Sequence, residues 1–262
     1  MVLTFAGSDP TGGAGLQADL LTLAAMGCHP LSVVTALTAQ DTTGVHSVEP
    51  VPCARVRAQA EPLLAEMRIA AFKLGVMGSS DNIGVIAELI SDYPDVPVVL
   101  DPVLASGRGD ALASEAMLRA LRELLVPLST VVTPNSIEAR RLAEQASLEQ
   151  CARRLLDCGA EYVFITGAHE DEQSDEVVNT LYDSGGVVRQ DRWQRLAGSY
   201  HGSGCTLASA TAAALARGLG VAQAVRDAQE YTWQALAGGF RPGRGQLFPD
   251  RFFWAREAEE AE

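Results

Sequence analysis

The stretch LTFAGSDPTGGAGLQADL, residues 3–20, contains an apolar run, a glycine-rich turn and the start of a helical pattern. The apolar run has the length of a strand and is typical of a strand that is buried on both faces. Strand–turn–helix units of this kind, when repeated along a chain, build parallel sheets covered by helices. The fold prediction depends on whether the unit recurs.

The unit recurs along almost the whole chain. Further strands are predicted at LSVVTALTA (31–39), AAFKLGVM (70–77), VPVVLDPV (96–103), STVVTPN (129–135) and EYVFITG (161–167). Helices are predicted over residues 14–26, 54–68, 82–91, 114–125, 135–146, 148–157, 203–217 and 222–236. VVNTLYDSGGVVRQ (177–190) is typical of a hairpin, because two adjacent glycines can form its tight turn.

These patterns predict a single doubly wound α/β domain over residues 1–240. Its central, mostly parallel sheet carries helices on both faces and a small antiparallel hairpin at one edge. After Gly238 the pattern changes to FRPGRGQLFPDRFFW and then to AREAEEAE. We expect residues 241–262 to form an aromatic strap that docks on the domain, followed by a frayed acidic tail.

The composition favours a protein that acts on small molecules. The formal net charge of −13 opposes binding to nucleic acid and to anionic membranes, since both require Lys and Arg. No apolar run reaches the roughly 18–20 residues of a membrane span. The start MVLTFAGSDP lacks the basic segment of a secretory signal. We therefore expect a cytoplasmic protein.

The cysteines favour the same location. There are five, and no two of them are spaced as CxxC, which disfavours a disulfide framework and a structural zinc site. We expect most of them to be buried thiols in a reducing compartment. They are Cys28, Cys53, Cys151, Cys158 and Cys205.

Polar and glycine-rich residues follow the predicted strands. Ligands of an open parallel sheet bind beyond the carboxyl ends of its strands, so these residues are the first candidates for a site. They are residues 7–15, 40–44, 73–75, 101–102, 133–135 with Glu138, and 166–167.

One of these turns fits two kinds of site. Gly13 to Ala18 matches the G-x-G-x-x-A pattern of a nicotinamide dinucleotide fold. That fold needs an acidic residue at the end of the second strand, but the strand ends at Ala39-Gln40 and Asp41 comes only beyond it. The alternative is a turn that lets backbone approach a small substrate. A Walker phosphate loop is absent from the sequence.

The turn Gly202-Ser203-Gly204-Cys205 opens an alanine-rich helical pattern. Backbone N–H groups at such a helix start, together with the helix dipole, favour an anion. Cys205 would lie at the positive end of that dipole, where the pKa of a thiol is lowered. Its sulfur could serve as a nucleophile or as a base, and the anion site beside it favours a base in phosphoryl transfer.

A second set of polar residues suggests a metal site. Asn135 and Glu138 begin a helix and lie three residues apart on one face. They form either a helix cap with a solvated Glu or a magnesium site next to nucleotide phosphates. Asp101, which ends an apolar strand, is a second candidate for the metal shell.

Several segments, taken in order, resemble the hydroxymethylpyrimidine and phosphomethylpyrimidine kinases of thiamine biosynthesis, in the ribokinase-like superfamily. The segments are GSDPTGGAGLQADL, TALTAQDTTGVHSV, KLGVMGS, VVLDPV, TPNSIEA, FITGAH and HGSGCTLASA. The superfamily usually has Asp at the position of Cys205, so the cysteine points to the pyrimidine kinases and the related pyridoxal kinases.

The resemblance implies a role for each matching residue. Asp19, Gln40 and Gly7 would hold the aminopyrimidine, supported by Val76. Asn135 and Glu138 would help to place Mg²⁺ and phosphate, and Thr166-Gly167 would lie along the ATP side. The turn from Gly202 through Ser203 and Gly204 to Cys205 would stabilise the transferred phosphoryl group, with Cys205 as the base. Members of the family are often homodimers.

The chain departs from the family pattern on the nucleotide side. The family often has a Lys- or Thr-containing run after Asp-Pro-Val, whereas residues 104–110 here read LASGRGD, with Arg108 as the cation. The usual Asn-Thr before the anion turn is Ser199-Tyr200. These departures leave open a catalytically silent pyrimidine-binding homologue. Two further alternatives are a pyridoxal kinase of the same branch and a nicotinamide-dependent dehydrogenase.

Overall fold

The structure is a computed structural model that describes residues 1–105, 112–171 and 173–257. Within these residues, nine strands form one sheet. They are β1 (Val2–Ser8), β2 (Pro30–Asp41), β3 (Gly44–Pro50), β4 (Ala71–Leu74), β5 (Val98–Leu100), β6 (Val131–Val132), β7 (Tyr162–Ile165), β8 (Glu176–Asp183) and β9 (Gly186–Gln194). Their spatial order is β3-β2-β1-β4-β5-β6-β7-β8-β9. The central strands from β2 to β7 pair in parallel.

Within the described residues, every helix except the last lies close to its predicted position, and the last one forms in the segment predicted as an aromatic strap and tail. They are α1 (Gly15–Ala25), α2 (Cys53–Glu66), α3 (Ser80–Ser91), α4 (Glu115–Ala120), α5 (Ser136–Ala143), α6 (Leu148–Asp157), α7 (Ser203–Ala216), α8 (Val221–Ala237) and α9 (Phe253–Glu257). The predicted helix 114–125 changes character at its end. After α4 it continues as a π-helical turn over Leu121–Leu125 and a 3₁₀ turn over Val126–Leu128. Pro127 lies in that last turn, where its missing N–H cannot extend an α-helix.

Two apolar layers pack on opposite faces of the sheet. One layer joins Phe72 and Leu100 to helices α2 to α6. The other joins Val99 to helices α1, α7 and α8. Because successive side chains of a strand point to opposite faces, a strand such as β5 must be apolar throughout. The doubly wound α/β fold is confirmed by this arrangement.

Both edges of the sheet are antiparallel, whereas a hairpin was predicted at only one. The predicted hairpin is β8 with β9. The unpredicted strand is β3, which pairs antiparallel with β2 at the other edge. Residues 40–44 were predicted as a loop, but β2 continues to Asp41, whose Oδ1 accepts a 2.7 Å hydrogen bond from the Thr43 amide in a tight turn. The residues of β3 are polar and partly exposed, so they lack the apolar run that identified the other strands.

The last part of the chain crosses the carboxyl ends of the strands. We call residues 240–251 the C-terminal strap. The amide of His201 donates to the carbonyl of Leu247 at 2.8 Å, and the amide of Leu247 donates to the carbonyl of Ser199 at 2.9 Å. The division of the chain at residue 240 stays a prediction, and the acidic residues 258–262 lie outside the described residues.

No helix in the described ranges combines the length and the hydropathy that a membrane crossing requires.

Candidate active site

The ends of β1, β2 and β4 bring three of the predicted substrate-binding residues to one region. A Cβ atom placed on Gly7 would lie 3.5 Å from Cβ of Val76, so the two residues are in contact. The Gln40 amide donates to the Thr38 hydroxyl at 2.8 Å, and that hydroxyl donates to the carbonyl of Ser8 at 2.8 Å. Gly7, Gln40 and Val76 therefore border the same edge of the sheet.

Two glycine-rich segments meet beside this region. We call residues 12–15 the glycine loop and Gly202–Cys205 the anion turn. Gly202 has a φ of +85°, and a Cβ atom on it would lie 1.9 Å from the carbonyl oxygen of Gly13. Only glycine fits there. The first hydrogen bond of α7 runs from the Thr206 amide to the Gly202 carbonyl, so the amides of residues 203–205 precede the helical ladder.

Asp9 fastens the glycine loop to the anion turn. Its carboxylate accepts hydrogen bonds from the amides of Thr11 and Ala14 and lies 2.8 Å from Nε2 of His201. Burial opposes ionisation, but these hydrogen bonds outweigh it and lower the pKa of Asp9. The sequence analysis included Asp9 only as one of residues 7–15 and assigned no individual role to Asp9 or His201.

Lys73 lies at the centre of a buried charge cluster beneath the anion turn. Its side chain, on β4, has no exposed surface, and Nζ lies 2.9 Å from Oδ1 of Asp19 and 3.8 Å from Oδ2 of Asp101. Burial disfavours the charged ammonium, but the two carboxylates outweigh that effect and raise the pKa of Lys73. A lysine inside the apolar run AAFKLGVM was the available signal for this role.

Asp19 is fully buried, and its carboxylate accepts hydrogen bonds from the hydroxyls of Thr4 at 2.7 Å and Ser209 at 2.8 Å as well as contacting Lys73. This geometry suits Asp19 to hold Lys73 in place. Its contact with the pyrimidine stays a prediction from the resemblance.

The predicted effect of the helix start on Cys205 is wrong. Burial raises the pKa of the Cys205 thiol to about 12, and the Asp101 and Asp19 carboxylates add to this, although Lys73 opposes it. Desolvation disfavours the thiolate, and the two acidic groups near the sulfur disfavour it further. Cys205 nevertheless keeps partial exposure, so it borders the site.

The magnesium candidates combine a helix cap with a carboxylate pair. The Asn135 side chain accepts hydrogen bonds from the amides of Ile137 and Glu138, and Glu138 accepts one from the Asn135 amide at 3.0 Å. This is a capping box. Burial, with a contribution from Asp101, raises the pKa of Glu138 to about 8. Burial likewise raises the pKa of Asp101.

The same pair fits a cation. Among the described residues, no hydrogen-bond donor reaches the buried Oδ2 of Asp101, and the ammonium of Lys73 at 3.8 Å is too distant for a hydrogen bond. The pKa values of Asp101 and Glu138 are both raised, so a bound divalent cation would stabilise their ionised forms. The described residues contain no metal-binding group of three or more His, Cys, Asp or Glu side chains. Magnesium commonly binds through one or two carboxylates together with substrate phosphates.

Thr166 and Gly167 lie next to the start of α5. The Ser136 amide donates to the carbonyl of Thr166 at 3.0 Å. The Gly167 amide donates to Oδ1 of Asn179 at 3.0 Å, and a Cβ atom on Gly167 would lie 2.1 Å from the carbonyl oxygen of Val178. This segment is therefore fixed against β8. Arg108, the other candidate on the nucleotide side, lies outside the described residues.

Comparisons with known proteins agree with this arrangement. The chain matches the family model of phosphomethylpyrimidine kinase over residues 9–249. A hydroxymethylpyrimidine/phosphomethylpyrimidine kinase of Streptomyces coelicolor is 40% identical over 261 residues, which cover 97% of this chain and 95% of that protein.

Two solved structures are similar over most of the chain. A pyridoxal kinase of Bacillus subtilis, in complex with ADP, has a TM-score of 0.88 and 30% identity, covering 97% of this chain and 98% of its own. A phosphomethylpyrimidine kinase of Clostridium difficile has a TM-score of 0.78 and 32% identity, covering 90% and 98%. These likenesses leave no support for a nicotinamide-dependent dehydrogenase.

The Lys73–Asp19 pair gives a stability prediction. Replacing Asp19 by Asn leaves a buried ammonium without its nearest counter-charge, and such losses cost about 3–5 kcal/mol. We expect the free energy of unfolding in urea at pH 7 to fall by this amount. Adding Lys73→Met to Asp19→Asn should restore part of it, because the unpaired ammonium is then gone and Asp101, whose pKa is raised by burial, can take up a proton.

The control is Asp95→Asn, the same chemical change at an exposed turn. It should alter the free energy of unfolding by no more than about 0.5 kcal/mol. An equal loss of unfolding free energy in Asp19→Asn and Asp95→Asn would contradict the pairing of Asp19 with Lys73.

Proposed function

The chain belongs to the phosphomethylpyrimidine kinase family, and we propose that it transfers a phosphoryl group from ATP to the hydroxymethyl oxygen of 4-amino-5-hydroxymethyl-2-methylpyrimidine. A second transfer to the monophosphate gives the diphosphate used in thiamine biosynthesis. The observation that carries the proposal is the position of the anion turn. It packs on the glycine loop and lies above the Lys73 cluster, at the strand ends that carry Gly7 and Gln40.

Gly7, Gln40 and Val76 form the pyrimidine side of the proposed site. The Gln40 amide offers a donor and an acceptor, which match the amine and a ring nitrogen of an aminopyrimidine. Gly7 carries no side chain and Val76 lies beside it, with 3.5 Å between Val76 Cβ and the point that a Gly7 Cβ would occupy, so together they offer an apolar surface to a flat ring. Asp19 supports this side indirectly, by holding Lys73 beneath it.

The amides of Ser203, Gly204 and Cys205 form the phosphoryl side. In phosphoryl transfer the protein contributes mainly by positioning and by stabilising charge on the phosphoryl oxygens. Backbone N–H groups that are already aligned at a helix start provide this without reorganisation. The bond from the hydroxymethyl oxygen to the γ-phosphorus forms as the bond from that phosphorus to the β–γ bridging oxygen breaks. ADP leaves as the second product.

Cys205 is the proposed acceptor of the hydroxyl proton. With its pKa raised to about 12, the thiol is protonated in the free enzyme. Asp101 raises this pKa and Lys73 lowers it, so added positive charge beside Asp101 favours the thiolate. We propose that the thiol loses its proton to solvent as the site fills. The sulfur then takes the substrate proton during transfer.

The nucleotide side is proposed to include Asn135, Thr166 and Gly167. Asp101 and Glu138 would hold Mg²⁺, which supplies positive charge to the nucleotide phosphates when bound. Asn135 holds the start of α5 through its cap, so it fixes the carboxylate of Glu138. ADP in the B. subtilis structure supports the use of ATP by this fold.

Pyridoxal kinase is the second candidate function, favoured by the similar pyridoxal kinase structure of B. subtilis. A cytoplasmic location and a homodimer stay predictions from the sequence. The five cysteines are all free, which supports a reducing compartment. The expectation that most of them are buried is wrong, because only Cys151 is buried and the other four are partly exposed.

A coupled ADP-release assay tests the function. We expect ADP release with the hydroxymethylpyrimidine and with its monophosphate, and a smaller rate with pyridoxal. Cys205→Ala should lower kcat by a factor on the order of 10²–10⁴, the usual contribution of a general base. Cys205→Ser should be little better, since a hydroxyl is far less acidic.

Cys53→Ala, on the distant helix α2, is the control and should keep wild-type kcat. Wild-type protein that releases no ADP above background with either pyrimidine would overturn the proposed function. A wild-type kcat in Cys205→Ala would show that the thiol takes no part in catalysis.

The raised pKa of Glu138 predicts a pH dependence of stability. Because its pKa of about 8 lies above the ordinary 4.5, the folded protein keeps a proton that the unfolded chain releases. Stability should therefore fall as pH rises through this window. Glu138→Gln cannot ionise and keeps an acceptor for the cap, so it should lose less stability between pH 5 and pH 8.

Urea unfolding of the wild-type protein and of Glu138→Gln at several pH values measures the difference in how much stability each loses as pH rises. Adding Mg²⁺ with ADP should reduce it at pH 8, because a cation favours the carboxylate over the acid. A wild-type protein that gains stability relative to Glu138→Gln as pH rises would contradict the burial of this group.

A further inference from the structure

Arg251, on the C-terminal strap, lies beneath the junction of the glycine loop and the anion turn. Only 4% of its surface is exposed. One terminal nitrogen donates to the carbonyl of Gly13 at 2.6 Å and the other to the carbonyl of Gly12 at 3.5 Å. Its Nε donates to the hydroxyl of Thr206 at 3.1 Å. The guanidinium thus contacts both glycine segments at once.

Within the part of the chain that the structure describes, this buried cation forms no ion pair. None of the ion pairs formed by the described side chains includes Arg251. Two acidic groups are close enough to influence it: Asp19, which is already paired with Lys73, and Asp9, which is already paired with His201. Buried charges in proteins are normally paired, because desolvation without a counter-charge is costly. An uncompensated guanidinium is therefore suited to a site that receives negative charge.

Its position links the charge to the anion turn. The terminal nitrogen of Arg251 lies 2.9 Å from the point that a Cβ atom on Gly202 would occupy. Thr206, which accepts from Arg251, donates its own hydroxyl to the carbonyl of Gly202 at 2.8 Å. The charge is thus held within the first turn of α7, where it adds to the partial positive charge of the helix start.

We propose that Arg251 is a positioning residue of the phosphoryl-transfer site, which fixes the glycine loop to α7 and raises the positive potential of the anion turn. This inference rests on the proposed function. The guanidinium donates hydrogen bonds to backbone carbonyls and a hydroxyl, so Arg251 acts on the phosphoryl group indirectly, through the anion turn.

The rest of the strap holds Arg251 in register with the substrate side. The Gly245 amide donates to the hydroxyl of Thr42 at 3.2 Å, two residues beyond Gln40. A Cβ atom on Gly13 would lie 2.7 Å from Cζ of Phe248, so the strap also packs directly on the glycine loop. The strap therefore runs from the pyrimidine side of the site to its phosphoryl side.

Two substitutions separate charge from hydrogen bonding. Arg251→Met removes both, and Arg251→Lys keeps the charge while losing the planar fork. We expect Arg251→Met to lower kcat/KM for ATP by a factor on the order of 10–10², less than the 10²–10³ lost with a direct donor. KM for the pyrimidine should change less than about threefold. On a logarithmic scale, the loss of kcat/KM for ATP in Arg251→Lys should be no more than half of the loss in Arg251→Met.

Arg244→Met is the matched control, because it removes the same charge from an exposed position of the same strap. It should keep wild-type values. Thermal unfolding of each variant shows whether it is folded. Should Arg251→Met fail to fold, Arg251→Gln replaces it, since Gln keeps hydrogen-bonding groups without the charge.

Binding of inorganic pyrophosphate, measured by calorimetry, separates this inference from the proposed function. A wild-type protein without kinase activity would overturn the function, and Arg251 would then be judged on pyrophosphate affinity alone. That affinity should fall about tenfold in Arg251→Met, equivalent to 1.4 kcal/mol, and less in Arg251→Lys. Unchanged ATP kinetics and unchanged pyrophosphate affinity in Arg251→Met would overturn the inference. Equal losses of pyrophosphate affinity in Arg251→Lys and Arg251→Met would show that the charge contributes nothing and that Arg251 acts only through its hydrogen bonds, which would contradict its proposed effect on the potential of the anion turn.

Discussion

One buried ammonium group organises the candidate site. Lys73 on β4 draws together Asp19 from α1 and Asp101 from the end of β5, and its charge also acts on Cys205 at the start of α7. A lysine without exposed surface requires such partners, because an unpaired charge in the interior is too costly to keep. The hydroxyls of Thr4 and Ser209 complete the environment of Asp19. The sheet and two helices are thereby joined at a single point beneath the anion turn.

Close backbone contact sets the second constraint. Gly13 and Gly202 approach so closely that neither could carry a side chain: Cβ atoms on them would lie 2.5 Å from the ring of His201 and 1.9 Å from the carbonyl of Gly13, respectively. This contact places the amides of the anion turn above the charge cluster. The cations Lys73 and Arg251 come from different elements, Lys73 from the sheet and Arg251 from the strap. The turn is thus a fixed positive environment, as transfer of a charged phosphoryl group requires.

The sequence predicted the fold better than the chemistry of the site. Apolar runs between helical patterns were enough to predict the parallel strands, since only buried strands need them. The polar strand β3 gave no such signal. Local sequence also pointed to the anion turn, Gln40 and Glu138, whose roles stay predictions, but it did not give the direction of the Cys205 pKa, which depends on burial by distant residues. Arg251 could not be found locally, because its bonds reach Thr206 and Gly13 across 45 and 238 positions.

The central claim is that phosphoryl transfer takes place between the anion turn and Cys205. A crystal structure with Mg²⁺, ADP, aluminium fluoride and the hydroxymethylpyrimidine tests it most directly. The account predicts a fluoride group within about 3 Å of the amides of residues 203–205, with the pyrimidine hydroxyl within hydrogen-bonding reach of the Cys205 sulfur. A fluoride group bound away from the anion turn, or a hydroxyl that faces away from Cys205, would contradict it.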